Sequence, residues 1–250
     1  MIILKTSQEL SRMREAGRIA GGALAAGMEA CKPGVTTMDV NRAVHQFITS
    51  HGAKPSFLGY GGFPASACVS VNNEVIHGIP NKQRILREGD IVSIDVGAFY
   101  KGYHGDTAAT VGVGSVSAEA QQLMDVTARC LELGIAQAIR GNRIGDIGAA
   151  VQQHAESFGY GVVREFIGHG VGGDLHEDPE VPNYGRAGRG PRLAPGMTIA
   201  IEPMINLVGE DVEVQPDGWT VLTASGSLSA HFEHTIAITD NGPVVLTTRP

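Results

Sequence analysis

Four carboxylates sit where acids are out of place. Asp95 lies at the centre of the strand-like apolar run IVSIDVGAF, and Asp106 follows in HGDTAATV. Glu202 lies inside TIAIEPM, and Glu233 heads EHTIAI. Lys101-Gly102 marks a turn between the two aspartates. With an even-numbered loop, Asp95 and Asp106 share one face of an antiparallel hairpin, directly opposite or two residues apart. Like charges so placed destabilise a strand pair unless something offsets them. A metal cation is the common offset inside an apolar frame. A solvated face with two ordinary aspartates is the alternative for that pair alone. Four such acids carry more charge than one divalent ion supplies. Two ions sharing carboxylates balance it better, and ions ~3.5–4 Å apart are a recurring device of hydrolases.

Nine histidines accompany them. Most fit helix surfaces, loops or the core. Three differ in context. His169 stands between glycines in FIGHGVGGDLHEDPEV, His176 follows in the same stretch, and His77 lies in VIHGIP. Flanking glycines leave room for a ligand or substrate to approach.

The elements that must position these groups repeat. A shift of 107 residues carries Leu24 onto Leu131, Gly34 onto Gly141, Asp39 onto Asp146, Val44 onto Val151 and Gly52 onto Gly159. The same shift lays IVSID on TIAIE and so matches Asp95 with Glu202. Alanine-rich helical spacing over 7–30 and 117–140 predicts one long helix in each half. Asp39 and Asp146 precede or open a second helix, ending at Gly52 and Gly159. Strands are predicted over 66–76, 90–98 and 105–113, then over 162–167, 197–203 and 232–239. Helices first and strands after, twice, predict an α+β fold with helices on one face of a mainly antiparallel sheet. No linker or low-complexity stretch divides the chain. Residues 1–250 are expected to form a single domain with internal halves of about 1–115 and 116–250.

Composition narrows the classes of function. The formal net charge of −7 argues against a dedicated nucleic-acid binder, though not against brief RNA contact through a local basic loop. Cys31, Cys68 and Cys130 are too few and too scattered for a disulfide framework or a zinc spacing, which fits a reducing compartment. MIILKTSQEL lacks the features of a signal peptide. No apolar run approaches the ~18 residues of a membrane span. A cytoplasmic protein is expected. The 34 glycines, about twice the ordinary share, predict tight turns round a crowded site.

Taken together, these blocks resemble the type I methionine aminopeptidases. FIGHGVGGDLHEDPEVPNY matches the histidine signature of that family in full. YGGFPASACVSVNNEVIHGIP, IVSIDVGAFYKGYHGDTAATV, MTIAIEPM and SAHFEHTIAITDNG agree in order and spacing. The similarity covers essentially the whole chain and looks like the short form, without a zinc-binding N-terminal extension or the helical insertion of the type II branch.

The resemblance implies the pita-bread fold, a pseudo-two-fold α+β domain. It implies five metal ligands: Asp95, Asp106, His169, Glu202 and Glu233. In the family pattern Asp95 chelates one ion, Asp106 and Glu233 bridge the pair, and His169 and Glu202 complete the other. His77 and His176 would hold substrate and stabilise the tetrahedral intermediate. Tyr60, Phe63, Cys68, Leu175 and Trp219 would form the pocket for the methionine side chain. A hydroxide bridging two divalent ions would attack the carbonyl, with Glu202 shuttling a proton to the leaving amine. Carboxylates with one imidazole suit cobalt, manganese, iron or a non-thiolate zinc site, and the sequence does not choose. The implied substrate is the N-terminus of a nascent polypeptide with a small second residue. Transient ribosome association is implied as well, and a monomer is expected.

Three positions depart from common versions of the pattern. Leu175 replaces a frequent phenylalanine, Phe57 a cysteine near the pocket rim, and Gly97 a hydroxyl residue. They bear on pocket shape and metal affinity, not on the ligand set. Proline dipeptidases and proline-specific aminopeptidases share the five ligands but carry a sizeable extra N-terminal domain. Relatives that only bind partners or RNA, and metal-free creatinase-like proteins, are expected to break the set.

Overall fold

Local sequence starts each helix in the computed structural model, which describes residues 1–249. Helix α1 (Ser7–Ala30) opens on a capping box, in which the Thr6 hydroxyl accepts from the Glu9 amide and Glu9 accepts from the Thr6 amide. Helix α2 (Thr37–Ser50) opens in the same way on Thr36 and Asp39. It buries Val40, Val44 and Ile48, the spacing of one helical face. Beyond its end, Gly52 takes a φ of 71°, a backbone that favours glycine.

Strands follow: β1 (Lys54–Pro55), β2 (Ala67–Val71), β3 (Glu74–Ile76), β4 (Ile91–Tyr100) and β5 (Tyr103–Gly112). A short 3-10 turn over Tyr60–Gly62 precedes β2. The stretch predicted as one strand over 66–76 is thus two, because Asn72 turns the chain with a φ of 59°. The second helical pair is α3 (Ala118–Gln137) and α4 (Ile144–Ser157). The 107-residue shift carries the ends of α2 onto the ends of α4. Then come β6 (Gly161–Val162), β7 (Gly168–Gly170), β8 (Glu177–Val181), β9 (Thr198–Ile201) and β10 (Met204–Asn206). The last are β11 (Val212–Val214), β12 (Val221–Thr223), β13 (Ser229–His231), β14 (Glu233–Thr239) and β15 (Gly242–Val245).

Two further expectations are corrected. The strand predicted over 162–167 survives only at Val162. The extended segment lies later, at β7, where it carries His169. The strand predicted over 197–203 stops at Ile201, so Glu202 lies just past it rather than inside it. Pro203 follows, and without an amide hydrogen it cannot continue a ladder.

The main sheet has the order β1-β4-β5-β14-β9-β7-β8, with β2 paired to β4 and β15 to β14. All these pairings are antiparallel. Smaller sheets join β13-β10-β6 and β11-β12-β3. This is the α+β arrangement expected.

Alternation along the strands decides which side each residue serves. Val92, Ile94 and Val96 of β4 pack with Leu24, Val44 and Ile48 of α1 and α2. Ile199, Ile201, Ile236 and Ile238 pack with Leu131 and Ile147 of α3 and α4. Asp95, between Ile94 and Val96, points the other way, as does Glu202 after Ile201. Small residues let α1 lie close to the sheet. A Cβ on Gly105 would stand 2.6 Å from the Gly17 Cα.

Candidate functional site

The β4–β5 hairpin settles the geometry of the first two acids. Its two-residue turn, Lys101-Gly102, has positive φ at both positions, 50° and 87°, as tight hairpins require. The register then pairs Asp95 with Ala108 and Gly97 with Asp106. The aspartates share a face, two residues apart, one of the two placements read from the sequence.

Five neighbouring strands each bring one candidate ligand. Asp95 comes from β4, Asp106 from β5 and Glu233 from the first position of β14. Glu202 follows β9, and His169 is the middle residue of β7. The β5–β14 seam matters most, because it joins strands distant in sequence. Only Ala108–Glu233 and Thr107–His234 pair there. Side chains extend the seam. The Asp106 amide donates to Thr235 Oγ1 at 3.0 Å, and Thr107 Oγ1 donates to the Glu233 carbonyl at 2.8 Å. These bonds hold the backbones of both seam acids.

Ligand atoms of Asp106, His169 and Glu233 all lie within 4.8 Å of one another, an arrangement able to hold a metal ion. His169 Nε2 is 3.5 Å from Glu202 Oε1 and 3.8 Å from Asp106 Oδ2. His169 Nδ1 is 2.8 Å from the Gly170 carbonyl, which only accepts, so Nδ1 carries the hydrogen. Nε2 therefore turns a free lone pair towards the acids, as a metal ligand must.

Electrostatics point the same way. Burial first, then the Asp95 charge, pushes the Asp106 carboxyl well above the carboxylate range. Burial and the Asp106 charge do the same to Glu233. Burial raises Asp95 to about 7 and Glu202 to about 8. Asp95 Oδ1 and Asp106 Oδ1 are buried without a hydrogen-bond partner. Unpaired buried carboxylate oxygens are costly. A hard divalent cation would satisfy them, and the oxygen-rich donor set fits one.

A cavity of about 220 Å³ opens onto the cluster. All twelve residues singled out in the sequence line it: the four acids and His169 above, together with His77, His176, Tyr60, Phe63, Cys68, Leu175 and Trp219. Cys68 is the register partner of Asp95, and its thiol is held well above its usual value by burial and by the Asp95 carboxylate. The His77 and His176 rings are both lowered by burial, His77 to about 4, so they are neutral at pH 7. Tyr60 Oη lies 2.7 Å from His176 Nδ1, and the His176 ring centroid is 4.1 Å from that of His169. His77 has a φ of 59°, a left-handed backbone that non-glycine residues adopt at a cost. That turn sets its ring edge-on to Phe166 and Trp219.

Sequence reasoning missed several residues here. Ile76, Phe166 and Ile167 also line the cavity. His231 is 1% exposed, with both ring nitrogens unpartnered and Nε2 3.7 Å from Glu202 Oε2. Its place two residues before Glu233 was the available signal. Phe57 and Gly97, seen as separate departures, are one feature. A Cβ at Gly97 would lie 2.7 Å from Ser56 Cβ and 2.8 Å from Phe57 Cε1, so the ring occupies the space residue 97 leaves.

Comparison with known proteins gives a consistent result. The model of metallopeptidase family M24 matches residues 11–240. The chain is 54% identical over 247 residues to the methionine aminopeptidase of Clostridium acetobutylicum, covering 99% of each chain. A methionine aminopeptidase crystal structure from Thermotoga maritima matches with a TM-score of 0.98 and 46% identity over 100% of both chains. Prolidase from Pyrococcus furiosus matches at a TM-score of 0.80 and 25% identity, over 99% of this chain and 66% of that one. The four helices and curled antiparallel sheet are the pita-bread fold of these neighbours.

Proposed function

The chain belongs to the methionine aminopeptidases of metallopeptidase family M24, and on that footing we propose that it removes the N-terminal methionine from nascent polypeptides whose second residue is small. The observation that supports this best is the delivery of one donor from each of five adjacent strands to the floor of a largely apolar cavity. Residues 1–250 act as one catalytic unit, with halves of about 1–115 and 116–250 that each supply part of the site. Asp95, Asp106, His169, Glu202 and Glu233 would hold two divalent ions: cobalt, manganese, iron or zinc. When bound, such ions lower the pKa of water and polarise a carbonyl, which makes hydrolysis possible near neutral pH.

The chain's own residues do the rest. Tyr60, Phe63, Cys68, Leu175 and Trp219 take the methionine side chain and exclude water from it. A bulky second side chain would crowd the carboxylate cluster. The neutral rings of His77 and His176 offer N–H groups to the scissile carbonyl oxygen as negative charge develops there. Glu202, beside His169 and His231, carries a proton from the attacking water to the leaving amine. One chain holds every residue named, so a monomer suffices. A nascent-chain substrate of this kind would call for a cytoplasmic protein in transient contact with ribosomes. Among the described residues no helix is long and apolar enough to cross a membrane.

The test uses EDTA-stripped protein, then protein with manganese or cobalt added, on Met-Ala-Ser, Met-Lys-Ser and Ala-Pro peptides. Metal-dependent release of methionine from Met-Ala-Ser alone is expected. Cleavage of Ala-Pro instead would move the chain to the proline-specific relatives.

A further inference from the structure

Beneath the loop that carries His176 lies a charge pair that the chemistry above does not use. Lys5 Nζ forms an ion pair with Glu177, and the two side chains are 3% and 7% exposed. Long charged side chains are seldom so deeply buried. Removing such a pair as a unit often leaves stability unchanged, so stability alone is weak grounds for its presence.

The pair ties two otherwise separate parts of the molecule. Lys5 is fixed at its backbone, where its amide donates to the Gly196 carbonyl at 2.7 Å, and Gly196 in turn donates to Ile238 of β14. Thr6, the next residue, caps α1. Lys5 therefore stands on a frame set by the helix start and the central sheet. Glu177 is the first residue of β8 and directly follows His176. Residues 171–176 bridge β7 and β8, and they bring Leu175 and His176 to the cavity.

Contacts close round the pair. Glu177 Oε1 accepts from the Asp174 amide at 3.3 Å. Gly172 donates to the Asp174 carbonyl at 3.0 Å and accepts from the His104 amide at 2.9 Å. A Cβ on Gly172 would stand 2.6 Å from Lys5 Cε, so the loop closes over the lysine stem only because residue 172 is glycine. Successive extended residues point to opposite sides. With Glu177 drawn down to Lys5, His176 turns up to Tyr60 and His169.

We infer that Lys5 and Glu177 are positioning residues for His176: the buried pair fixes the 171–176 loop so that the imidazole stands over the ligand cluster. This rests on the role given to His176 above. Small displacements of a positioned group cost large factors in rate, up to ~10²-fold for about 1 Å.

Lys5→Met and Glu177→Gln test it in the manganese-loaded protein, alone and combined with His176→Ala. The Gln variant keeps the shape of residue 177 should the Met variant fold poorly. Each single variant should lower kcat on Met-Ala-Ser by roughly 10–100-fold with KM within about threefold, the signature of an interaction that matters in the transition state. In the His176→Ala background the same substitutions should change kcat less than about twofold, because their target is gone. In metal-free protein, the His176 ring-nitrogen NMR signals should shift and broaden in both variants. Single variants with parental kcat and an unchanged His176 signal would overturn the inference. So would an equal loss of kcat with and without His176, which marks general structural support. Parental kcat in His176→Ala alone would instead sink the role of His176, and the NMR signals would then decide the positioning claim separately.

Discussion

Raising the pH should destabilise the metal-free protein, and Glu202 should carry a measurable share. Burial pushes Glu202 up to about 8 and Asp95 up to about 7. Asp106 and Glu233 are both raised well above the carboxylate range, first by burial, then by the Asp95 charge at Asp106 and by the Asp106 charge at Glu233. A folded pKa above the unfolded value means the native state keeps the proton longer. Stability from that source is complete below the unfolded carboxyl pKa of about 4 and is lost as the pH climbs through the folded pKa. Buried histidines act in the opposite sense. His77, His104, His169 and His234 are lowered to about 4, chiefly by burial. Their contribution is complete above about pH 6.5 and fades only as the pH falls from there. Between about pH 6.5 and 8 the carboxylates therefore act alone. Each titrating acid costs ~1.4 kcal/mol per pH unit there, which gives about 2 kcal/mol for Glu202 and ~0.7 kcal/mol for Asp95. Urea unfolding of EDTA-treated parent and Glu202→Gln across that interval measures it. The parent should lose at least ~2 kcal/mol, and the variant about 2 kcal/mol less than the parent. With manganese bound the acids begin deprotonated, so the slope should flatten. A metal-free parent with flat stability, or equal slopes for parent and variant, would refute the reasoning.

Other expectations follow from packing and burial. Gly97→Ala should cost ~1–3 kcal/mol by urea unfolding, because its Cβ meets Ser56 and Phe57. Adding Phe57→Leu should recover part of that loss, and additive costs in a double-mutant cycle would show that the two positions are independent. Gly105→Ala should lower the melting temperature without altering metal content by elemental analysis. Its methyl would press on the α1 backbone at Gly17, on the face of β5 opposite Asp106. Cys31 and Cys130 are pushed up to about 12 by burial, and Cys68 is raised as well. Iodoacetamide at pH 8 should leave all three unlabelled in the native protein and label them in urea, read by mass spectrometry. Native labelling of Cys68 would contradict its thiol state.

Much of the site was legible because its signals are local. An acid inside an apolar run is conspicuous, and Lys101-Gly102 marks a turn; once the structure makes that loop two residues long, the shared face of Asp95 and Asp106 follows from strand alternation. The helices were legible for the same reason. Alanine-rich spacing over 7–30 and 117–140, and Asp39 with Gly52 at the two ends of α2, are read within a few turns. The strands of the second half were read less well. β7, β10 and β13 have three residues each, too short to show a period, and Pro203 cuts the run that carries Glu202.

By itself, the sequence determined the helices, the hairpin, the four acids set in apolar strands and the internal repeat. Tertiary structure alone decided that β14 lies between β5 and β9, through contacts between residues 129 apart such as Asp106 and Thr235. It alone decided the left-handed turn at His77, the burial of His231 beside Glu202, and the Lys5–Glu177 pair joining residues 172 apart. Propensity and periodicity act over a few residues. The raised acids, the neutral histidines and the buried ion pair depend on what distant chain excludes water from them, and only the folded molecule fixes that.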